Sequence, residues 1–201
     1  MRKDTPTKTE TALLEPFAGL SMDRIFVPTT KEEFGSAVVE IKRAGAVGFD
    51  TESKPVFQLG VVGSGPHVMQ FATLDKAFIF QLNRTDCHQV LIELLQSEDV
   101  IKVGFGLKSD RRHIHRKLSI KLRNVLDLDA VFRKDGYRHE TGVRAAIAIV
   151  FNKKFNKSKK VSTSNWALPQ LTSRQLLYAA NDAYAAIRVL NALGRPYAEL
   201  R

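Results

Sequence analysis

The sequence predicts an α/β fold in which a mixed β-sheet is flanked by helices. Short apolar runs with strand-like alternation come first, and later strands are separated by runs with helical periodicity. The hydrophobic content of 44% exceeds that of disordered chains. The length of 201 residues suits one domain with its own core.

The elements follow from local patterns. Thr30 precedes a helical run and Glu33 stands three residues later, which is the pattern of a capping box, and Gly45 follows the end of that helix. Strands, which are apolar or alternating, are predicted at 25–27, 47–51, 68–72, 77–81, 100–103 and 123–126. Helices, which have apolar faces, are predicted at 30–43, 85–96, 107–118, around 130, 141–151 and 172–193. We expect a loop or bulged strand at 57–66 and a Lys-rich loop at 152–164.

The first 22 residues are polar and carry charges of both signs, so we expect a loose tail at 1–22 and a single domain at 23–201. The tail lacks the apolar stretch of a signal peptide, and no apolar run approaches a membrane span. We therefore expect no membrane association. Cys87 is the single cysteine, which fits a reducing compartment, and we expect a cytoplasmic location.

Asp50 and Glu52 stand at the end of a predicted strand, where residues i and i+2 project from the same face. Two carboxylates so close repel each other unless a cation lies between them. Carboxylate oxygens suit Mg²⁺ or Mn²⁺. Since an acidic residue at a strand end can also belong to a turn, this pair alone leaves both interpretations open.

Two further segments carry acidic residues on predicted helices. Asp110 follows a Gly-x-Gly turn and shares a helix face with Leu107 and Ile114. A carboxylate on an apolar face needs a partner, because burying it alone is costly. Tyr178 and Asp182 are four residues apart on the last long helix and lie side by side. A phenol beside a carboxylate can handle a proton next to a metal.

Three other patterns have simpler explanations. Asp127 and Asp129 form a second Asp-x-Asp pair, which a strand end followed by a helix cap explains better than a metal site. Gly104-x-Gly106 lacks the third glycine of the dinucleotide-binding fingerprint. Trp166 is expected in the core, with base stacking as the alternative.

The net charge is +10, and the positive charge is concentrated at 101–160. This segment contains 17 Lys and Arg residues and 5 Asp and Glu residues. A basic surface beside metal-binding acids favours a polyanion through counterion release, with a solvated surface as the alternative. The predicted substrate-binding residues are one aromatic residue after the first acidic pair and several basic residues near the other motifs. They are Phe57, Lys108, Arg111, Arg112, Lys159 and Lys160. For the aromatic residue, stacking on a base and the absence of any role in binding are equally open.

The motifs together resemble those of the DEDD exonucleases. Asp50-x-Glu52, Gly-x-Gly-x-x-x-Asp ending at Asp110, and Tyr178-x-x-x-Asp182 stand in the order of the three exonuclease motifs. The tyrosine marks the DEDDy branch, which includes Werner-type and ribonuclease D-like domains. Further segments similar to the Werner-type domain are 103–106, 120–125, 164–166, 171–172 and 175–185. The resemblance covers about 25–193 and implies the ribonuclease H-like fold.

The resemblance implies a 3′-5′ exonuclease that releases nucleoside 5′-monophosphates. Asp50, Glu52, Asp110, Tyr178 and Asp182 would be its catalytic residues. The four acids would hold two divalent cations, Mg²⁺ or Mn²⁺, with Asp110 acting through water, and Tyr178 would orient the attacking water.

The substrate implied by the resemblance is a single strand or the 3′ end of a duplex. Werner-type relatives favour DNA, and ribonuclease D-like relatives make RNA the alternative. Two other functions stay open: a nucleic-acid-binding module with weak or lost catalysis, and an oligoribonuclease or RNA-trimming enzyme. Since all five motif residues are present, we favour an active enzyme.

Overall fold

The computed structural model describes residues 2–58, 60 and 63–200, and it contains a six-stranded mixed sheet. The strands lie in the order β1-β4-β3-β2-β5-β6. Their bounds are β1 Ile25–Phe26, β2 Ala46–Glu52, β3 Val68–Ala72, β4 Ala77–Gln81, β5 Ile101–Gly104 and β6 Val125–Asp127.

Strand β2 lies in the middle of the sheet, between an antiparallel and a parallel neighbour. It runs antiparallel to β3, where Asp50 pairs with Gln70, and parallel to β5, where Gly48 pairs with Val103. The β1–β4 and β5–β6 pairs are also parallel. The predicted mixed sheet is confirmed, because the chain forms its antiparallel strands early and then crosses over through helices.

Helices cover both faces of the sheet. Helix α8 crosses one face against β2, β3, β4 and β5 and shares its core with α6, while α2, α3 and α4 pack on the other face. The bounds are α1 Lys8–Ala12, α2 Lys31–Ala44, α3 His88–Gln96, α4 Lys108–Leu118, α5 Leu128–Lys134, α6 Val143–Phe151, α7 Lys159–Ser162, α8 Ser173–Leu193 and α9 Tyr197–Leu200. Among the described residues, no helix has the length and apolar character needed to cross a membrane.

Side-chain caps fix the starts of the two longest described helices, α2 and α8. The Glu33 backbone N–H donates to Thr30 Oγ1 at 3.2 Å, and Glu33 Oε2 accepts from the Thr30 N–H at 3.1 Å, which is the predicted capping box. Thr172 and Gln175 form a second box at the start of α8. Helix α8 therefore begins at Ser173, five residues before Tyr178, and this sets the side of the helix on which the third motif lies.

The observed bounds differ from the predicted ones by up to two residues at several ends, and two segments differ in the type of secondary structure. The helix predicted at 85–96 opens with a 3₁₀ turn at Thr85–Cys87 and becomes α-helical at His88. The Lys-rich loop at 152–164 contains the short helix α7, which the Ser158 side chain caps. The segment predicted as a loop or bulged strand at 57–66 lies partly outside the described residues, and its described part forms no strand.

Described N-terminal residues contact the body of the protein, where a loose tail at 1–22 was expected, and the division of the chain at residue 22 stays a prediction. Lys3 forms an isolated parallel β-bridge with Tyr137, and Pro16 forms one with Lys154. The Phe17 ring packs against Phe151 at a centroid distance of 5.3 Å. Polar composition suggested a solvated tail, but backbone hydrogen bonds and one aromatic residue hold the segment on the body of the protein.

Candidate active site

The side chains of β2 alternate between the two faces of the sheet, so Asp50 and Glu52 project together toward α8. Asp182 meets them from α8. One ligand oxygen from each of the three carboxylates lies within 4.8 Å of the others. The structure therefore brings the first and third motifs, 130 residues apart in sequence, to one point.

The close approach of α8 to β2 depends on the absence of a side chain at Gly48. A Cβ at this position would lie 1.8 Å from the carbonyl oxygen of Ala183. On the helix, the facing residues Ala179, Ala180 and Ala183 are small and fully buried. Small residues on both elements let the helix backbone touch the strand, and this brings the Asp182 carboxylate within reach of the β2 acids.

Burial raises the pKa values of the three clustered acids. Burial is the largest cause for Asp50, whose pKa lies well above its usual range, and the charges of Asp110 and Asp182 add to it. Burial, followed by the Asp50 charge, raises the pKa of Glu52 to about 9. Burial also raises the pKa of Asp182, against the opposing charge of Lys157. Ionising all three acids together therefore requires a nearby cation.

The donor set fits a divalent cation. Hard carboxylate oxygens are the ligands that Mg²⁺ and Mn²⁺ prefer. Asp182 is only 4% exposed, so its carboxylate needs a cationic or hydrogen-bonding partner. Three carboxylates that each offer an oxygen within 4.8 Å of the others form a donor set that can hold such a cation.

A cationic side chain that the sequence prediction did not assign to the site contacts this cluster. Lys157 Nζ lies 2.6 Å from Asp182 Oδ2 and 5.3 Å from the centre of the Tyr178 ring. Burial lowers the pKa of Lys157, but the charges of Asp182 and Asp50 outweigh it, and the pKa is raised. The sequence placed Lys157 in a basic cluster, but nothing in the local pattern separates it from its lysine neighbours.

Asp110 lies beside the three clustered acids and not among them. Its Oδ1 accepts a hydrogen bond from Thr51 Oγ1 at 2.5 Å, and its charge contributes to the raised pKa of Asp50. Burial raises the pKa of Asp110 itself. The expected role of Asp110, acting on a cation through water, stays a prediction.

Tyr178 lies one turn before Asp182 on α8, as predicted. Its ring packs against Trp166 at a centroid distance of 5.9 Å. Trp166 is 1% exposed and its indole N–H donates to the Ser162 carbonyl at 3.1 Å, so the expectation of a core tryptophan is confirmed. Burial, followed by the Asp182 charge, raises the pKa of the Tyr178 hydroxyl, which therefore stays protonated at neutral pH.

The remaining predicted substrate-binding residues are on the surface around the cluster. Phe57 follows β2 by five residues and is 87% exposed. Lys159 lines a cavity of about 960 Å³ that also contains Asp50, Asp182 and Lys157. The other four are exposed and lie outside that lining, and their role in binding stays a prediction; they are Lys108, Arg111, Arg112 and Lys160.

The second acidic pair has a structural role. Asp127 accepts hydrogen bonds from the backbone N–H groups of Gly106 and Leu107, both at 2.9 Å, and from that of Asp129 at 3.1 Å. It caps α5 and ties the Gly-x-Gly turn to β6. The expected helix cap is confirmed, and the turn that leads to Asp110 is held in place by it.

Solved structures share this architecture. The EXO domain of Nibbler from Aedes aegypti has a TM-score of 0.72 and 21% sequence identity, covering 88% of this chain and 90% of that chain. RNase D from Trypanosoma brucei in complex with RNA U12 has a TM-score of 0.75 and 19% identity, covering 86% and 63% of the two chains. This likeness shows the fold, which is the predicted ribonuclease H-like one.

Sequence relatives of this chain are named as 3′-5′ exonucleases. The mouse bifunctional 3′-5′ exonuclease/ATP-dependent helicase WRN is 29% identical over 150 residues, which is 74% of this chain and 11% of that protein. A 3′-5′ exonuclease from Arabidopsis thaliana is 27% identical over 70% of this chain and 49% of that protein. The chain thus spans about half or less of these relatives. The model of the 3′-5′ exonuclease family matches residues 25–196, and the chain therefore belongs to the 3′-5′ exonuclease family.

Proposed function

We propose that this 3′-5′ exonuclease works with two divalent cations and releases nucleoside 5′-monophosphates from the end of a nucleic acid strand. The observation that carries the proposal is the convergence of Asp50, Glu52 and Asp182 beside Tyr178. A cluster of buried, mutually repelling carboxylates is unfavourable for stability, and a cation-dependent site explains why it is retained.

The acids divide between two cations. Asp50, Glu52 and Asp182 would hold the first, and Asp50 together with Asp110, acting through water, would hold the second. When bound, the cations supply the positive charge that activates a water molecule and stabilises the phosphate and the leaving oxygen. The water oxygen forms a bond to phosphorus as the bond to the 3′ oxygen of the preceding nucleotide breaks.

Tyr178 orients the attacking water through its protonated hydroxyl. Replacing Tyr178 by Phe keeps the ring against Trp166 and removes only the hydroxyl. We expect turnover to fall by about 100-fold or more, in the range of a positioned proton-handling group, with Mn²⁺ and substrate affinity almost unchanged. Single-turnover kinetics and equilibrium binding measure the two quantities separately. If Tyr178→Phe turned over at the wild-type rate, the Tyr178 hydroxyl would have no role in the mechanism.

DNA is the proposed substrate, with RNA as the second candidate. The resemblance of the motifs to the Werner-type exonuclease domain, and the match to the mouse relative named WRN, support DNA. The RNA bound in the T. brucei neighbour supports RNA. The basic residues at 101–160 serve both, because contacts to phosphate carry no base sequence information.

The experiment compares matched DNA and RNA strands, single and double, each labelled at the 5′ end. A ladder that shortens from the 3′ end is expected, and a blocked 3′ end should resist. The faster substrate class identifies the preferred nucleic acid. Cleavage of a circular single strand would instead show an endonuclease, and the proposed product and polarity would then be wrong.

A further inference from the structure

A segment outside the matched family range contacts the body of the protein near the acid cluster. This N-terminal segment, residues 2–20, precedes the match at 25–196. At its start, the Lys3 N–H donates to the Gly136 carbonyl at 2.9 Å. At its end, the Leu20 N–H donates to Asn181 Oδ1 at 2.7 Å, on the residue next to Asp182. Both ends of the segment are thus fixed.

Between these two points, the N-terminal segment binds the backbone of Lys154. The Lys154 N–H donates to the Glu15 carbonyl at 2.8 Å, and the Lys154 carbonyl accepts from the Phe17 N–H at 2.9 Å. Lys154 Nζ also reaches the Ala12 carbonyl at 3.4 Å. Both backbone polar groups of this residue of the Lys-rich loop are therefore occupied by the segment.

Phe17 adds apolar contacts on both sides of Lys154. Its ring lies 5.3 Å from that of Phe151 and 6.2 Å from that of Phe155, measured between centroids. The Arg188 guanidinium lies 5.8 Å from the centre of the same ring. The stretch 151–155 is consequently held at both ends by one side chain of the N-terminal segment.

Lys157 follows this stretch by two residues and reaches into the acid cluster. Its ammonium lies 2.6 Å from Asp182 Oδ2, with the lysine side chain 31% and the aspartate side chain 3% exposed. Asp182 is also one of the three carboxylates that can hold a cation. An ammonium and a divalent cation on the same buried carboxylate repel each other strongly, because the local dielectric screens poorly.

We propose that the N-terminal segment holds Lys157 against Asp182 as a built-in counter-ion of the acid cluster, which a divalent cation displaces when it binds. This inference rests on the proposed cation-dependent function of the same carboxylates. Lys157 is then a positioning residue for the metal-free site, and residues 2–20 act on the site through it.

The test measures Mn²⁺ affinity by isothermal titration calorimetry, without substrate, in the full chain. Lys157→Met should bind Mn²⁺ about tenfold more tightly than the wild type, a typical size for coupling between two sites. Lys159→Met is the matched control, since it removes the same charge from a residue that lines the same cavity but forms no ion pair among the described residues. Its Mn²⁺ affinity should change much less.

A double-mutant cycle tests the role of the N-terminal segment. Phe17→Ala should tighten Mn²⁺ binding by a smaller factor, and it should add nothing in the Lys157→Met background. Phe17→Leu, which keeps apolar bulk, should restore the wild-type affinity. Leu13→Ala, at a position in the segment that is 90% exposed, should have no effect. Circular dichroism confirms that each variant is folded.

Each outcome has a distinct meaning. Mn²⁺ binding in Lys157→Met that is equal to or weaker than in the wild type would overturn the proposed counter-ion role of Lys157. Tighter binding in Lys157→Met without an effect of Phe17→Ala, or with additive effects, would overturn the role of residues 2–20. A wild-type protein that binds no Mn²⁺ would instead remove the proposed function, and the inference with it.

Discussion

Asp50 and Asp182 belong to one cluster, but their surroundings differ. The charges of Asp110 and Asp182 raise the pKa of Asp50 and that of Lys157 opposes them, whereas Asp182 forms a direct ion pair with the Lys157 ammonium at 2.6 Å. In EDTA at pH 8, Asp50→Asn should therefore raise the free energy of unfolding by about 1–3 kcal/mol, because it removes a strongly disfavoured charge. Asp182→Asn should stabilise less, since it leaves Lys157 without its partner.

Urea denaturation of the two variants measures this difference. Both should also lose exonuclease activity. A larger stabilisation by Asp182→Asn than by Asp50→Asn would contradict the assigned electrostatics of the cluster, whatever the activities are.

The raised pKa values of the acids predict how stability depends on pH. A carboxyl group whose pKa is higher in the folded than in the unfolded state holds a proton that the unfolded chain has released, so stability falls as pH rises between the two values. For Glu52 this window runs from its ordinary pKa of 4.5 to about 9. In EDTA, we expect a loss of about 1.4 kcal/mol per pH unit for each proton held in this window.

Divalent cations should flatten this slope, because a bound cation replaces the protons. Thermal unfolding at pH 5 to 9, with EDTA and with excess Mn²⁺, measures both slopes. Identical pH dependence in the two conditions would show that no cation binds to these acids.

At the scale of elements, the packing of α8 on β2 decides whether the cluster forms. Gly48→Ala puts a methyl group 1.8 Å from the Ala183 carbonyl oxygen, where only backbone movement can relieve the overlap. We expect a loss of about 3 kcal/mol or more in the free energy of unfolding, above the usual range for overpacking. Mn²⁺ affinity should fall as well, because α8 carries Asp182 away from β2.

Gly35→Ala is the matched control for this substitution. Gly35 lies inside α2, and a Cβ there meets no atom within 4 Å. The change should stabilise by about 0.5–1 kcal/mol through helix propensity. If Gly48→Ala were tolerated as well as Gly35→Ala, the close contact of helix and strand would not be what assembles the site.

The elements could be predicted from the sequence because their signals are local. Alternation defined β3 and β4 to the residue, and the capping box of Thr30 and Glu33 marked the start of α2. Lys157 could not be singled out, because its partner lies 25 residues away and its lysine neighbours have the same local pattern. The contacts of the N-terminal segment could not be predicted, because they are mainly backbone hydrogen bonds that composition does not show.

At the scale of the whole molecule, charge supplies affinity for the substrate without sequence selectivity. Lys159, which lines the cavity, and its neighbour Lys160 are both exposed. Each phosphate contact to a single strand contributes about 0.7 to the slope of log affinity against log salt. Replacing both by Ala should therefore reduce the slope by up to about 1.4 and weaken binding to all sequences alike. Fluorescence anisotropy with several strands in EDTA measures the slope. An unchanged slope would show that these lysines form a solvated surface and do not contact phosphate.

The most direct test of a cation-dependent 3′-5′ exonuclease site measures, in one experiment, whether cleavage needs the cation, whether it needs the acids, and from which end it proceeds. A single strand labelled at its 5′ end, as DNA and as RNA, is incubated with the wild type and with folded Asp182→Asn, each with Mn²⁺ or EDTA. A cation-dependent 3′-5′ exonuclease site predicts stepwise shortening from the 3′ end by the wild type in Mn²⁺, and intact strands in the other combinations of protein and additive. Shortening in EDTA, shortening by Asp182→Asn at the wild-type rate, or intact strands of both kinds with the Mn²⁺-loaded wild type would contradict it.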